Sequence, residues 1–260
     1  MVVTVVFDNN PFDPRLRTSW GFAAWLEYGD QTILFDTGGD GKLLLHNMAM
    51  LELDPQTIDI VILSHSHGDH TGGLGAVLAA NPQLTVFVPK AFPTRFKNQV
   101  RATGASTVEV GDSVKILPGL WSTGQMGTSL FEQALVARTE QGLVIVTGCA
   151  HPGVDRMVAQ AMRGGQDEIL LVVGGFHLGG ASRRQMGKII SEFQRLGVRQ
   201  VAPCHCTGDR ARQTLRQAFG EDFLASGVGW QWQSESPDVV DRARDQMASG
   251  TPSSLATARR

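Results

Sequence analysis

The run Ser64-His65-Ser66-His67-Gly68-Asp69-His70 puts three imidazoles and one carboxylate within six positions. Imidazole nitrogens and carboxylate oxygens are ligands of divalent ions, which need several of them converging at ~2.0–2.2 Å. His65 and His67 are two apart, so at an extended strand end both side chains point to one side and can share an ion. Asp69 and His70 follow the turn at Gly68 and are redirected toward a second ion close by. Burying four such groups unpaired would be costly, so the spacing points to two adjoining metal positions. Two ions lower the pKa of a shared water toward ~7 and withdraw charge from the group under attack, so hydrolysis by a metal-bound hydroxide is the default chemistry.

Ligands of this kind must be held by rigid elements. The apolar run 58–63 reads as a strand that delivers the chain directly into the cluster. Upstream, a strand is expected at 2–7, a hairpin from 22–26 and 32–35 around Gly29-Asp30, and a helix over 42–53. Downstream, residues 71–80, a Gly-rich start leading into a helix, and a strand at 84–88 turn the pattern into alternating βα. Residues 90–130 hold Gly, Pro and scattered basic residues with short apolar runs at 108–110 and 114–117, and are expected to be a loop-rich region that covers a site. Strands at 134–137 and 143–146 follow.

The second half then repeats one theme. Strand 143–146 enters Thr147-Gly148-Cys149-Ala150-His151, strand 169–173 enters Gly174-Gly175-Phe176-His177, and strand 198–202 enters Pro203-Cys204-His205-Cys206-Thr207-Gly208. Each strand ends in a histidine. Helices are expected at 154–162, 182–196 and 210–219, with Gly197 stopping the middle one. His46, inside a helical run, reads as an ordinary partly exposed histidine. Residues 235–260 lose apolar periodicity and become rich in Ser, Ala and Arg, so they are expected to be a tail, partly helical or disordered, behind a single domain over 1–234.

With 260 residues and 42% hydrophobic content, the chain can bury a full core. A formal charge of −2 gives no reason to expect a nucleic-acid partner, and no apolar run approaches the ~20 residues of a membrane span. Three cysteines, Cys149, Cys204 and Cys206, are too few for a disulfide framework and fit a reducing compartment, hence a cytoplasmic protein. All three read as core residues, with Cys206 a candidate for the wall of the site. Lys90, Arg95 and Lys97, or Arg183 and Arg184, could clamp a phosphate, although a solvated basic surface is the commoner role. The oligomeric state is not legible.

The cluster at 64–70, together with Phe35-Asp36-Thr37-Gly38 before it, resembles the His-x-His-x-Asp-His signature of the metallo-β-lactamase superfamily. The resemblance runs from about residue 1 to 233. It implies an α/β fold, an αββα sandwich of two packed mixed β-sheets with helices on the outer faces and the histidines at one edge. It also implies that His65, His67 and His151 hold a first metal and that Asp69, His70 and His205 hold a second. Asp36 would hydrogen-bond a ligand histidine from behind.

Many two-metal members of the superfamily have a bridging aspartate where this chain has His177. A neutral imidazole does not readily bridge two ions, so His177 is either a terminal ligand of the second metal or a group that contacts substrate. Zinc is the first choice for both divalent ions, with manganese or iron open. Asp69, the one carboxylate in the set, would also orient the nucleophile. A site with so little negative charge should attract a small phosphate- or carboxylate-bearing molecule.

The segments around His151, His177 and His205, and Glu132-Gln133-Ala134-Leu135, are similar to a subgroup named for 7,8-dihydropterin-6-yl-methyl-4-(β-D-ribofuranosyl)aminobenzene 5'-phosphate synthase. A transferase acting on a dihydropterin diphosphate is therefore an alternative to a hydrolase. A metal-stabilised binding protein without turnover is a third reading.

Overall fold

The strands are rich in β-branched and aromatic side chains, which pack well on a pleated surface. The computed structural model describes residues 1–162 and 167–234. One sheet contains β1 (Val2–Phe7), β2 (Ala23–Tyr28), β3 (Gln31–Phe35), β4 (Ile60–Ile62), β5 (Thr85–Pro89) and β6 (Ser106–Val110) in sequence order. The other contains β7 (Val114–Leu117), β8 (Leu120–Ser122), β9 (Leu135–Thr139), β10 (Gly142–Thr147), β11 (Ile169–Gly175) and β12 (Val198–Cys204), also in order. A last short strand, β13 (Gln231–Gln233), returns to the first sheet and pairs antiparallel with β1.

Both sheets are mixed. β3 to β6 are parallel and β1 to β3 antiparallel, while β10 to β12 are parallel and β7 to β10 antiparallel. Val5, Phe35, Ile62, Val144, Val173 and Cys204 belong to the core between the sheets. Helices α1 (Gly41–Met50), α3 (Leu74–Ala80) and α4 (Thr94–Ala102) supply Leu44, Met48, Leu74, Val77 and Val100 to a second core on the outside of the first sheet. Helices α5 (Val154–Ala161), α6 (Arg183–Arg195) and α7 (Asp209–Phe219) supply Met157, Val158, Met186, Phe193 and Leu215 to a third, outside the second sheet. Each such side chain removed from water stabilises the fold by ~1.5–3 kcal/mol before the cost of ordering it. The result is the αββα sandwich.

One expectation changes. Residues 90–130 are not mainly loop: they form α4, β6, β7 and β8, which extend both sheets to their edges. Short edge strands and a helix that buries the stem of Lys97 beside Val100 carry too few apolar residues for periodicity to register. The Gly-rich start from Thr71 leads into α3 as expected, preceded by the single turn α2 (Gly68–Thr71), and a Cβ on Gly73 would collide with the Thr37 carbonyl. That close approach docks the metal-motif loop onto the end of β3. Ser182 and Gln185 form a capping box at the start of α6, and Gly197 follows its end at φ +72°. The expected tail over 235–260 lies outside the described residues. Among the described residues no helix is long and apolar enough to cross a membrane.

Candidate metal centre

Every histidine of the candidate site sits just past the C-terminal end of a parallel strand: His65, His67 and His70 after β4, His151 after β10, His177 after β11 and His205 after β12. Strands of both sheets therefore open onto one edge of the sandwich, where the chain turns sharply. Of five non-glycine residues with positive φ among those described, four lie here: Asp36 (56°), Ala150 (60°), His177 (51°) and His205 (47°). Each such conformation costs on the order of 1–3 kcal/mol and persists only where packing enforces it.

The rings form two groups. His65, His67 and His151 have pairwise centroid separations of 4.7, 4.7 and 5.0 Å. His70 and His205 lie 4.9 Å apart, and Asp69 Oδ2 is 3.6 Å from His70 Nε2 and 3.5 Å from His205 Nε2. His65 and His70, with centroids 4.2 Å apart, join the groups. His46 is on α1, outside this arrangement.

Hydrogen bonds decide which nitrogen of each ring is free. His70 Nδ1 donates to the buried Asp36 Oδ2 at 2.7 Å, and His205 Nδ1 to Asn9 Oδ1 at 2.8 Å. Their Nε2 atoms both turn inward and face each other at 3.2 Å, with Asp69 Oδ2 beside them. Ser64 Oγ gives its proton to Asp36 Oδ2 at 2.6 Å and so accepts from His65 Nδ1 at 2.9 Å. That leaves His65 Nε2 as an acceptor, 3.1 Å from His67 Nδ1. His151 Nδ1 donates to the fully buried Glu132 at 2.8 Å, freeing its Nε2 in turn. Ring nitrogens and a carboxylate oxygen converging at these distances make a donor set that fits divalent metal.

The electrostatics agree. Burial and neighbouring imidazoles hold His65 and His70 down to about 3, neutral and able to ligate at pH 7. Burial raises Glu132, but hydrogen bonds from His151 and from backbone N–H groups outweigh it and bring it to about 2. Glu132 accepts from the N–H groups of Cys149, Ala150 and His151 at 2.8, 2.7 and 2.9 Å. Burial also raises Asp69 and lowers His205, yet the hydrogen bond between the two outweighs it, holding Asp69 below the usual carboxylate range and raising His205. Asp36 is pushed up to about 7 by burial against the opposing effects of His65 and Ser64.

His177 stands apart from the second group. Its exposed ring stacks at 4.5 Å on His151 and faces a cleft of about 620 Å³. A hydrogen bond to Cys206 raises its pKa. The cleft is also lined by Trp20, Arg156, Lys188 and the acidic Asp155. Lys90, Arg95, Lys97, Arg183 and Arg184, weighed as phosphate clamps against the commoner surface role, do not line this cleft, and Lys97 is tied to Glu109 and to the Lys90 carbonyl.

Several site residues escaped the sequence reading. Asp8 and Asn9 follow β1, where Asp8 accepts from the His205 N–H at 3.0 Å and Asn9 holds the His205 ring. Glu132 belongs to a noted stretch, but nothing in its spacing announced a partner for His151. Cys149, expected in the core, instead has its sulfur 3.2 Å from His70 Nε2. Its position two residues before His151 was the available signal.

Comparison with known proteins agrees with this geometry. The model of the metallo-beta-lactamase superfamily matches residues 21–156. The 7,8-dihydropterin-6-methyl-4-(beta-D-ribofuranosyl)-aminobenzene-5'-phosphate synthase of Methanocaldococcus jannaschii is 31% identical over 236 residues, 74% of this chain and 80% of that protein. The chain belongs to the metallo-beta-lactamase superfamily. It is also similar to the crystal structure of a metal-dependent hydrolase of the beta-lactamase superfamily, with a TM-score of 0.75 and 26% identity over 91% of this chain and all of that one. The metallo-beta-lactamase fold protein YhfI from Bacillus subtilis shares the fold, with a TM-score of 0.67 and 16% identity over 90% of this chain and 98% of that one.

Proposed function

We propose that the chain is a two-metal hydrolase of small anionic substrates. The observation that carries the reading is the convergence of two sets of ring nitrogens, with His65, His70, His151 and His205 each anchored by a hydrogen bond, at the end of an open cleft. His65, His67 and His151 would hold one divalent ion, and Asp69, His70 and His205 the other; zinc is the first choice. Bound there, the ions would polarise a phosphoryl or acyl oxygen and bring the pKa of a water toward ~7.

The chain's own residues do the positioning. Asp36, Asn9 and Glu132 aim the rings and fix their tautomers, which limits reorganisation during the reaction. Arg156 and Lys188 draw an anionic substrate into the cleft, partly offset by Asp155. Trp20, 58% exposed with its ring 4.9 Å from that of His205, offers a face on which a planar group can stack. His177 contacts the substrate from the cleft side rather than serving as a ligand of the second ion, because its neighbours are His151 and Cys206.

A second reading is a transferase, favoured by the 31% identity to the synthase across most of that protein. A panel of phosphate esters, lactones and a dihydropterin diphosphate, assayed with zinc or manganese, separates the two. The hydrolase reading expects an anionic ester to turn over without any acceptor, and expects His67→Ala and Asp69→Ala each to abolish the activity. Consumption of the diphosphate only when an aminobenzene ribosyl phosphate is present would establish the transferase instead. Full metal loading with no turnover of any member would favour a binding protein.

A further inference from the structure

The two ligand sets are rich in neutral imidazole and poor in negative charge, and His177 does not lie between them. Among the described residues one donor atom belongs to both sides: the sulfur of Cys149 groups with His65 and His151, and separately with His70 and His205, each group of three within 4.8 Å; it also groups with His177 and Cys206 on the cleft side. It lies 3.2 Å from His70 Nε2. Two ligands of one tetrahedral ion, a sulfur at ~2.3 Å and a nitrogen at ~2.0 Å from the metal, are about 3.5 Å apart, so this spacing suits joint ligation.

The backbone is built to hold the sulfur there. The Cys149 and Ala150 N–H groups are fixed on the buried Glu132, Ala150 adopts φ +60°, and a Cβ on Gly148 would collide with Ser64 Oγ. Cys204 offers the contrast: its side chain belongs to the apolar core between the sheets, the ordinary place for an inert thiol. Cys149 faces ring nitrogens instead.

From this geometry we infer that Cys149 is a metal ligand, its thiolate shared by the two ions. The inference rests on the two-metal reading above. A thiolate sulfur has several lone pairs and can bridge, whereas a neutral imidazole offers one. Metal coordination deprotonates a thiol outright, so the Cys149 proton leaves on binding despite the hydrogen bond with Cys206 that otherwise retains it. With Asp69 and this thiolate, two divalent ions keep about two net positive charges instead of three.

The test is X-ray absorption at the zinc edge of the full-length protein, together with cobalt substitution and a metal count. A shared sulfur gives an average of one sulfur at ~2.3 Å per zinc and a thiolate-to-cobalt charge-transfer band. Cys149→Ser should lose the sulfur signal and the band, and bind one of the two ions at least roughly tenfold more weakly, the lower end of what supporting partners of metal ligands are worth. Cys206→Ser should keep the band. Cys149→Asp should restore two ions without the band, which guards against mistaking misfolding for lost ligation. Two zinc ions with no sulfur, with half a sulfur per zinc, or with a band that survives Cys149→Ser would overturn the shared thiolate and leave the two-metal reading intact. A wild-type chain that binds only one zinc would overturn that underlying reading, and the bridge with it.

Discussion

The two ligand sets are held in different ways, and the difference teaches where the site is rigid. In the set of Asp69, His70 and His205 both rings are buried, and each is fixed from behind by Asp36 or Asn9. In the set of His65, His67 and His151, His65 is buried behind Ser64, His151 is half-buried behind Glu132, and His67 is exposed on the turn that starts α2. The first of these is a preformed pocket that also brings a carboxylate. The other has an open side, and it is the side that meets the cleft and His177. Tight holding on one side and access on the other suit a site that must keep its metals and still admit a substrate.

The largest effect should come from the carboxylate that serves both sets. Asp36 bonds Ser64 N–H, Ser64 Oγ and His70 Nδ1, so it orients His70 directly and His65 through the serine. Asp36→Ala should cost about 1–3 kcal/mol of stability for each buried donor it strands, read by denaturant unfolding. It should also weaken both ions. Glu132→Gln keeps the shape but weakens the anchor of His151 and of the Cys149–Ala150 backbone, so titration should show roughly 10–100-fold weaker binding of the ion held by His151, with a smaller loss at the other. Equal loss at both ions in Glu132→Gln would break the comparison.

The smallest effect is expected at Asn9, a neutral anchor. Asn9→Ala should weaken the ion held by His205 by about tenfold, with the other ion unaffected. Metal titration followed by competition with a chelator checks this directly. A larger loss than in Glu132→Gln would mean that neutral and charged anchors are not ranked as the buried hydrogen bonds suggest.

Much of this was legible in the sequence because the ligands announce themselves. Ligands from 65 to 70 share one turn, and His151, His177 and His205 each end an apolar strand, so local pattern alone selects six of the seven histidines. The sandwich followed from the same strands and from the resemblance they carry. What stayed hidden depends on contacts distant in sequence. Asn9 meets His205 across 196 positions and Glu132 meets His151 across 19, and neither spacing has a local signature. Cys149 read as core because buried cysteine usually is; only the folded edge shows that its sulfur faces nitrogens. The strands within 90–130 were missed because edge strands alternate charged and apolar residues over too few positions.

The account stands on two metal positions, so the most direct measurement is elemental analysis of freshly purified protein, reconstituted with zinc and freed of loosely held ions. It predicts two zinc ions per chain, and no more than one in Asp69→Ala and in His67→Ala. One ion or fewer in the wild-type chain after reconstitution, or two in both variants, would contradict it.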